Sequence, residues 1–111
     1  MATKDPREPF TRIDVKEAQG LLSQDSSVII DVREPREYNT GHVPGAKLIS
    51  VATVFMRREE LPTNKDIIFV CGAGQRSALA CEMAAAVGLT RLYNLEGGTE
   101  AWAKAGLPLE Q

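Results

Sequence analysis

The strongest constraint on this chain is the recurrence of a short β-branched run followed by a helix-type run. Val28-Ile29-Ile30-Asp31-Val32 and Ile67-Ile68-Phe69-Val70 are short and almost continuously apolar. Interior strands of a parallel sheet read this way, because both of their faces are covered. Lys47-Leu48-Ile49 and residues 91–95 are weaker strand candidates, and residues 10–13 fit an edge. Helical patterns fall between them. Asp14 can cap a helix with Glu17 three residues on, and Leu21 and Leu22 follow at helical spacing. Further helices are expected over 34–38 (stopped by Gly41), 52–61 (ended by Pro62), 76–87 (stopped by Gly88) and 99–105 (closed by Gly106 and Pro108). Strand and helix alternating in one domain predict an α/β sheet with helices on both faces. Such sheets bind their ligands beyond the C-terminal ends of the strands, here after Val32 and after Val70.

At 111 residues the chain has room for one domain. Thirteen Lys plus Arg against 15 Asp plus Glu give a net charge of −2. That balance argues against a nucleic-acid footprint and against a polybasic membrane surface. Two cysteines and one histidine are too few for a four-ligand Cys/His zinc site or a disulfide scaffold, so no metal is expected. Residues 1–10 carry Lys4, Asp5, Arg7 and Glu8 and no apolar run. Neither a secretory signal nor a membrane anchor is expected there, which makes the cytoplasm the default and leaves the thiols reduced.

The loop after Val70 concentrates the chemistry: Cys71-Gly72-Ala73-Gly74-Gln75-Arg76-Ser77, then helix. Gly72 and Gly74 both permit positive φ, so the loop can curl and turn successive N–H groups inward. The helix that follows adds its own unpaired N–H groups and the positive end of its dipole. Together they would cradle an anion above the sulfur of Cys71. A thiol in such a field ionises more readily, and the thiolate is the reactive form. Arg76 is the only cation between Cys71 and Thr90, so it is the expected side-chain partner for a bound anion. A single cysteine at a strand end is ordinarily a small buried hydrophobe. The Cys-x4-Arg-Ser spacing in a strand–loop–helix context favours function instead.

This loop resembles the active loop of rhodanese-type sulfurtransferases, in which a cysteine opens a six-residue loop. Two further stretches are similar to that family in the same order. One is Asp31-Val32-Arg33-Glu34 through Glu37-Tyr38 and Gly41-His42-Val43-Pro44-Gly45-Ala46; the other is Asn94-Leu95-Glu96-Gly97-Gly98 with Ala101-Trp102. The resemblance implies a rhodanese-like domain over residues 11–107, with a central parallel five-stranded sheet between helices. Residues 1–10 are then an N-terminal extension and 108–111 a tail. It implies that Cys71 carries a persulfide, that Gly72 to Ser77 bind the substrate, and that no cofactor is needed. The partners it implies are a small sulfane-sulfur donor such as thiosulfate or a persulfide, and a thiol or protein acceptor. A monomer or weak dimer is expected. Many members carry a basic residue directly after the cysteine, where this chain has Gly72. That leaves a sulfur-relay module for a partner protein as an alternative. Relatives that became phosphatases have Cys-x5-Arg, so the shorter loop here disfavours a Cys-dependent phosphatase or arsenate reductase.

The remaining candidates divide by environment. Asp31 ends a central strand and is either a brace for the backbone of nearby loops or a pocket residue. A negative charge near Cys71 would raise its pKa, which favours the brace, and Arg33 could neutralise it. Glu37 sits where some relatives face the substrate. His42 lies between turn residues, in a position the resemblance makes structural. Cys81, ten residues after Cys71, is expected to pack on the sheet with Ser77, Ala80 and Ala84. Trp102 and Tyr93 read as packing, and Gly97-Gly98 as a helix entry.

Overall fold

The computed structural model describes residues 2–111. Five strands form one parallel sheet: β1 (Thr11–Ile13), β2 (Ser27–Asp31), β3 (Lys47–Leu48), β4 (Asp66–Val70) and β5 (Leu92–Leu95). Their order across the sheet is β1-β5-β4-β2-β3. Four α-helices cover it: α1 (Val15–Leu22), α2 (Pro35–Thr40), α3 (Gln75–Ala86) and α4 (Gly98–Lys104). Asp14 and Glu17 form the expected reciprocal cap on α1, and α3 ends at Ala86, two residues before Gly88.

The order of strands explains which face each helix occupies. From β1 to β2 to β3 the chain moves one way across the sheet; from β3 to β4 to β5 it moves back. Parallel crossovers keep a single hand, so connections made on the outward journey and on the return must cover opposite faces. Ala18 of α1 and Tyr38 of α2 pack with Ile29, Ile68 and Val70 on one face, joined by Trp102 of α4. Ala80, Cys81 and Ala84 of α3 pack with Ile30, Ile67 and Phe69 on the other. Residues of β4 therefore alternate between two cores, and each large side chain fully buried there contributes about 1.5–3 kcal/mol.

One expected helix is absent. Residues 52–61 form two 3₁₀ turns, Val51–Thr53 and Arg58–Glu60. The Val51 N–H donates to Val32 O at 2.9 Å, which ties the start of this segment to the sheet. Val54 and Leu61 are drawn into the α3-side core, while Phe55 and Met56 stay exposed. The apolar spacing reported two separate anchors rather than one helical stripe.

The reversal at β3 positions the site. β2 and β4 are neighbours, with Asp31 opposite Val70, yet the segments leaving them depart to opposite faces. A crevice opens beyond the C-terminal ends of such a pair. Residues 32–41 border it on one side and residues 71–77 on the other.

Candidate active site

Cys71 continues the alternation of Ile67 and Phe69, so its side chain points to the α3 face and is 1% exposed. Its sulfur accepts hydrogen bonds from the N–H of Gly74 at 3.1 Å and of Ser77 at 3.4 Å. The Ser77 hydroxyl also lies 3.4 Å away. Burial pushes the thiol pKa up, but the Ser77 hydroxyl and the N–H groups of Ser77, Gly74 and Ala73 outweigh it. The net result is a thiol more acidic than a free cysteine.

Two glycines make this loop possible. Gly74, at φ +110°, is the cap residue of α3, and a Cβ there would press to 3.3 Å from the backbone of Gly97. Gly98 is the tighter case: a Cβ there would fall 2.3 Å from Cys71 O and 2.5 Å from Gly72 O. That close approach lets the start of α4 take hold of the loop. Thr99 donates its N–H (2.8 Å) and its hydroxyl (3.1 Å) to Cys71 O, and the Glu100 N–H donates to Gly72 O at 3.1 Å. The C=O and N–H of a trans peptide point in opposite directions. Holding these two carbonyls against α4 therefore turns the N–H groups of Gly72 and Ala73 away from it. Gly72, in contrast to the expectation above, does not adopt positive φ. Its lack of a side chain instead leaves room beside the Arg76 guanidinium, which a Cβ would approach to 3.4 Å.

The charge at the rim differs from the sequence reading. Arg76 is engaged by Glu37 of α2 through two parallel hydrogen bonds, at 2.7 and 2.9 Å. Its charge is thus largely offset, and Glu37 faces the loop through it. The guanidinium holds the Glu37 carboxyl down to about 2, and the carboxylate raises Arg76 in turn. The pair is complete above the usual carboxylate range and is lost only as pH falls towards 2. Both side chains are 39% exposed, so the pair adds at most about 1 kcal/mol to stability. Ala73 and Gln75 lie exposed on the outer side of the loop.

Asp31 and Arg33 form a closed, buried brace. The Arg33 guanidinium donates to both Asp31 oxygens, at 3.0 and 2.8 Å, and to Gly41 O at 2.8 Å, spanning residues 31–41. A buried pair whose buried polar atoms are all hydrogen-bonded fixes geometry more than it adds stability. Arg36, Glu37, Gly72, Glu100 and Leu109 line a recess beside the loop. His42 is stacked on Tyr38 with ring centres 3.7 Å apart; its Nδ1 contacts Tyr38 O at 3.0 Å and its Nε2 lies 3.5 Å from Glu110. Cys81 lies in the α3-side core with its sulfur 3.5 Å from Tyr93 O, and burial pushes its thiol pKa up. Trp102 is buried and donates to Pro108 O at 2.9 Å. Among the described residues no group of three His, Cys, Asp or Glu is arranged to hold a metal.

Two residues close to the sulfur were not singled out from the sequence. Thr99 clasps Cys71 O, as described. Asn94, fully buried on β5, accepts from the Ser77 hydroxyl and donates to Gly74 O at 3.2 Å. The signal for Asn94 was present: an amide between Tyr93 and Leu95 in a strand needs a buried partner.

The site is thus a buried cysteine at the C-terminal end of a central strand in a parallel α/β sheet, its sulfur met by the N–H groups of Gly74 and Ser77 and by the Ser77 hydroxyl. A family model for the rhodanese-like domain matches residues 14–105, and the chain belongs to that family. It is 34% identical over 92 residues to a sulfurtransferase of Allochromatium vinosum, covering 83% of this chain and 86% of that protein. It is 28% identical over 101 residues to the thiosulfate sulfurtransferase GlpE of Vibrio cholerae, covering 91% and 95%. The crystal structure of a rhodanese-related protein from Thermoplasma volcanium superposes with a TM-score of 0.82 at 26% identity, covering 89% of this chain and 96% of that one.

Proposed function

We propose that this chain is a sulfurtransferase in which Cys71 carries sulfane sulfur as a persulfide. The observation that carries this reading is the sulfur of Cys71 accepting two backbone N–H groups at the base of a closed loop. Fixed donors of this kind stabilise an anionic sulfur without a general base, and His42 is occupied with Tyr38. The Cys71 thiolate attacks the outer sulfur of the donor and forms a new S–S bond. The donor's own S–S bond breaks, and its electron pair leaves on sulfite when the donor is thiosulfate, or on a thiolate when it is a persulfide. The outgoing group carries no proton, and the persulfide retains one negative charge within the loop from Gly72 to Ser77. A thiol or protein acceptor then takes the outer sulfur and returns Cys71 as thiolate, so two-step exchange kinetics follow.

The Glu37–Arg76 pair bears on the donor. With its only loop cation offset and Gly72 uncharged, the rim favours a monoanionic persulfide over the thiosulfate dianion. The same feature supports a second reading, a relay module that accepts sulfur from a protein donor and turns over thiosulfate poorly. Both readings require no cofactor, and for both we propose a cytoplasmic monomer or weak dimer. No described helix is long and apolar enough to cross a membrane. Intact mass after donor treatment tests the carrier role. Wild type should gain about 32 Da, one sulfur atom, and Cys71→Ala should not. No gain with any sulfane donor overturns the proposal.

A further inference from the structure

Ser77 has one hydroxyl proton and two acceptors within reach: Cys71 Sγ at 3.4 Å and Asn94 Oδ1 in a short hydrogen bond. The orientation of the Asn94 amide follows from its surroundings. Its Nδ2 faces two oxygens, Gly74 O at 3.2 Å and the Glu96 carboxylate, so Oδ1 must face Ser77. Glu96 is held in turn by Arg12 at 3.0 Å. Asn94 and Ser77 are both fully buried, so whichever acceptor loses the hydroxyl has no water to replace it.

We propose that Asn94 is a positioning residue that accepts the Ser77 hydroxyl's hydrogen bond whenever the negative charge is not on Cys71 Sγ, making the Ser77–Asn94 pair a two-position switch. The proposal rests on the sulfurtransferase reading. With Cys71 as a thiol, the S–H donates to Ser77 Oγ and the hydroxyl donates to Asn94. In the thiolate the hydroxyl turns to the sulfur, and Asn94 Oδ1 is left without a donor. In the persulfide the charge sits on the outer sulfur and Sγ carries no proton, so the hydroxyl returns to Asn94. The pair itself neither gains nor loses a proton in this cycle. Asn94 therefore disfavours the bare thiolate relative to both the thiol and the loaded state.

The ionisable groups around the sulfur are Arg76 on its own loop and Glu37 from α2, the Asp31–Arg33 pair at the end of β2, Glu96 after β5 and Glu100 in α4. Replacing Asn94 with leucine, which has almost the same shape, keeps all of these groups; Glu96 loses the hydrogen bond from Asn94 Nδ2 but keeps its ion pair with Arg12 at 3.0 Å. Asn94→Leu leaves the Ser77 hydroxyl with the sulfur as its only acceptor. The Cys71 pKa, read from the pH dependence of alkylation rate, should fall by about one unit. In a Ser77→Ala background the same change should move it by less than about 0.3 unit. A merely structural role for Asn94 gives the opposite sign, because a loosened loop withdraws N–H donors from the sulfur. A rise in pKa, or an equal fall without Ser77, overturns the proposal.

Should Asn94→Leu fail to fold, the side-chain amide of Asn94 can be followed by NMR in the wild type. Its carbonyl carbon and amide signals should shift as Cys71 ionises and return when Cys71 is persulfidated by a sulfane donor. Signals unchanged by ionisation overturn the switch. Failure of Cys71 to take up sulfur, with the pKa effects intact, would instead count against the sulfurtransferase reading alone.

Discussion

Cys71 and Cys81 lie ten residues apart, are both almost completely buried, and both belong to the core on the α3 side of the sheet. Their thiols are nevertheless driven in opposite directions. Burial raises both, but only Cys71 has donors aimed at its sulfur: two backbone N–H groups and a hydroxyl within 3.4 Å. The sulfur of Cys81 meets a carbonyl oxygen, Tyr93 O, which can accept from a thiol and offers nothing to a thiolate. The lesson concerns backbone geometry. Within α3 every N–H beyond the first turn is committed to the helix, whereas the loop before it has N–H groups still free to point at a sulfur. Burial by itself makes an inert cysteine, and burial among unpaired donors makes a reactive one.

The difference can be broken at several points. The largest effect belongs to Cys71→Ala, which should reduce sulfur transfer to background, more than about 1,000-fold, whereas Cys81→Ala stays within about twofold; parallel turnover assays decide this. Alkylation of the native protein near pH 7 should label Cys71 at least about 100-fold faster than Cys81, as read by peptide mass spectrometry. Because the folded pKa of Cys71 is depressed, that labelling persists below the range of a free thiol and fades as pH falls through the folded pKa. By the same linkage, the stability gained from the thiolate is complete above the unfolded pKa and is lost on acidification.

Gly98→Ala should erase the contrast from the loop side. A methyl group 2.3 Å from Cys71 O cannot be accommodated, so α4 must release the loop. About 3 kcal/mol of stability should go with it in a denaturant titration, along with most of the selectivity for Cys71. A smaller change tests the rim. Glu37→Gln frees the Arg76 charge and should raise kcat/KM for thiosulfate by about three- to tenfold, with less effect on a persulfide donor. Last, Cys81→Ala removes packing and the weak contact to Tyr93 O, and should cost about 1 kcal/mol with the alkylation profile of Cys71 unchanged.

Much of this arrangement was readable in the sequence. The β-branched runs at 28–32 and 67–70 became β2 and β4, the two strands that frame the crevice. Gly88 and the Asp14–Glu17 cap marked helix ends, and Ser77, Ala80, Cys81 and Ala84 proved to be the buried face of α3. What escaped detection was of another kind. The Glu37–Arg76 pair joins residues 39 positions apart that meet only because β2 and β4 are adjacent and their following segments diverge. No local pattern encodes that meeting. Residues 52–61 misled because two core anchors, Val54 and Leu61, are spaced as a helix would space them, while the backbone between them turns tightly. Asn94 stands within a recognisable motif, but its importance depends on where a single hydroxyl proton points.

The division between the loop and its rim has an evolutionary consequence. The sulfur is met mainly by peptide groups, which outside the glycine positions do not depend on side-chain identity, and these are anchored by Gly98 and Thr99 from a distant part of the chain. In the proposed function donor preference rests on Glu37 and Arg76, which are partly exposed and contribute little to folding. On that proposal, descendants of this protein can exchange one sulfur source for another by surface substitutions, inheriting the loop around Cys71 unaltered.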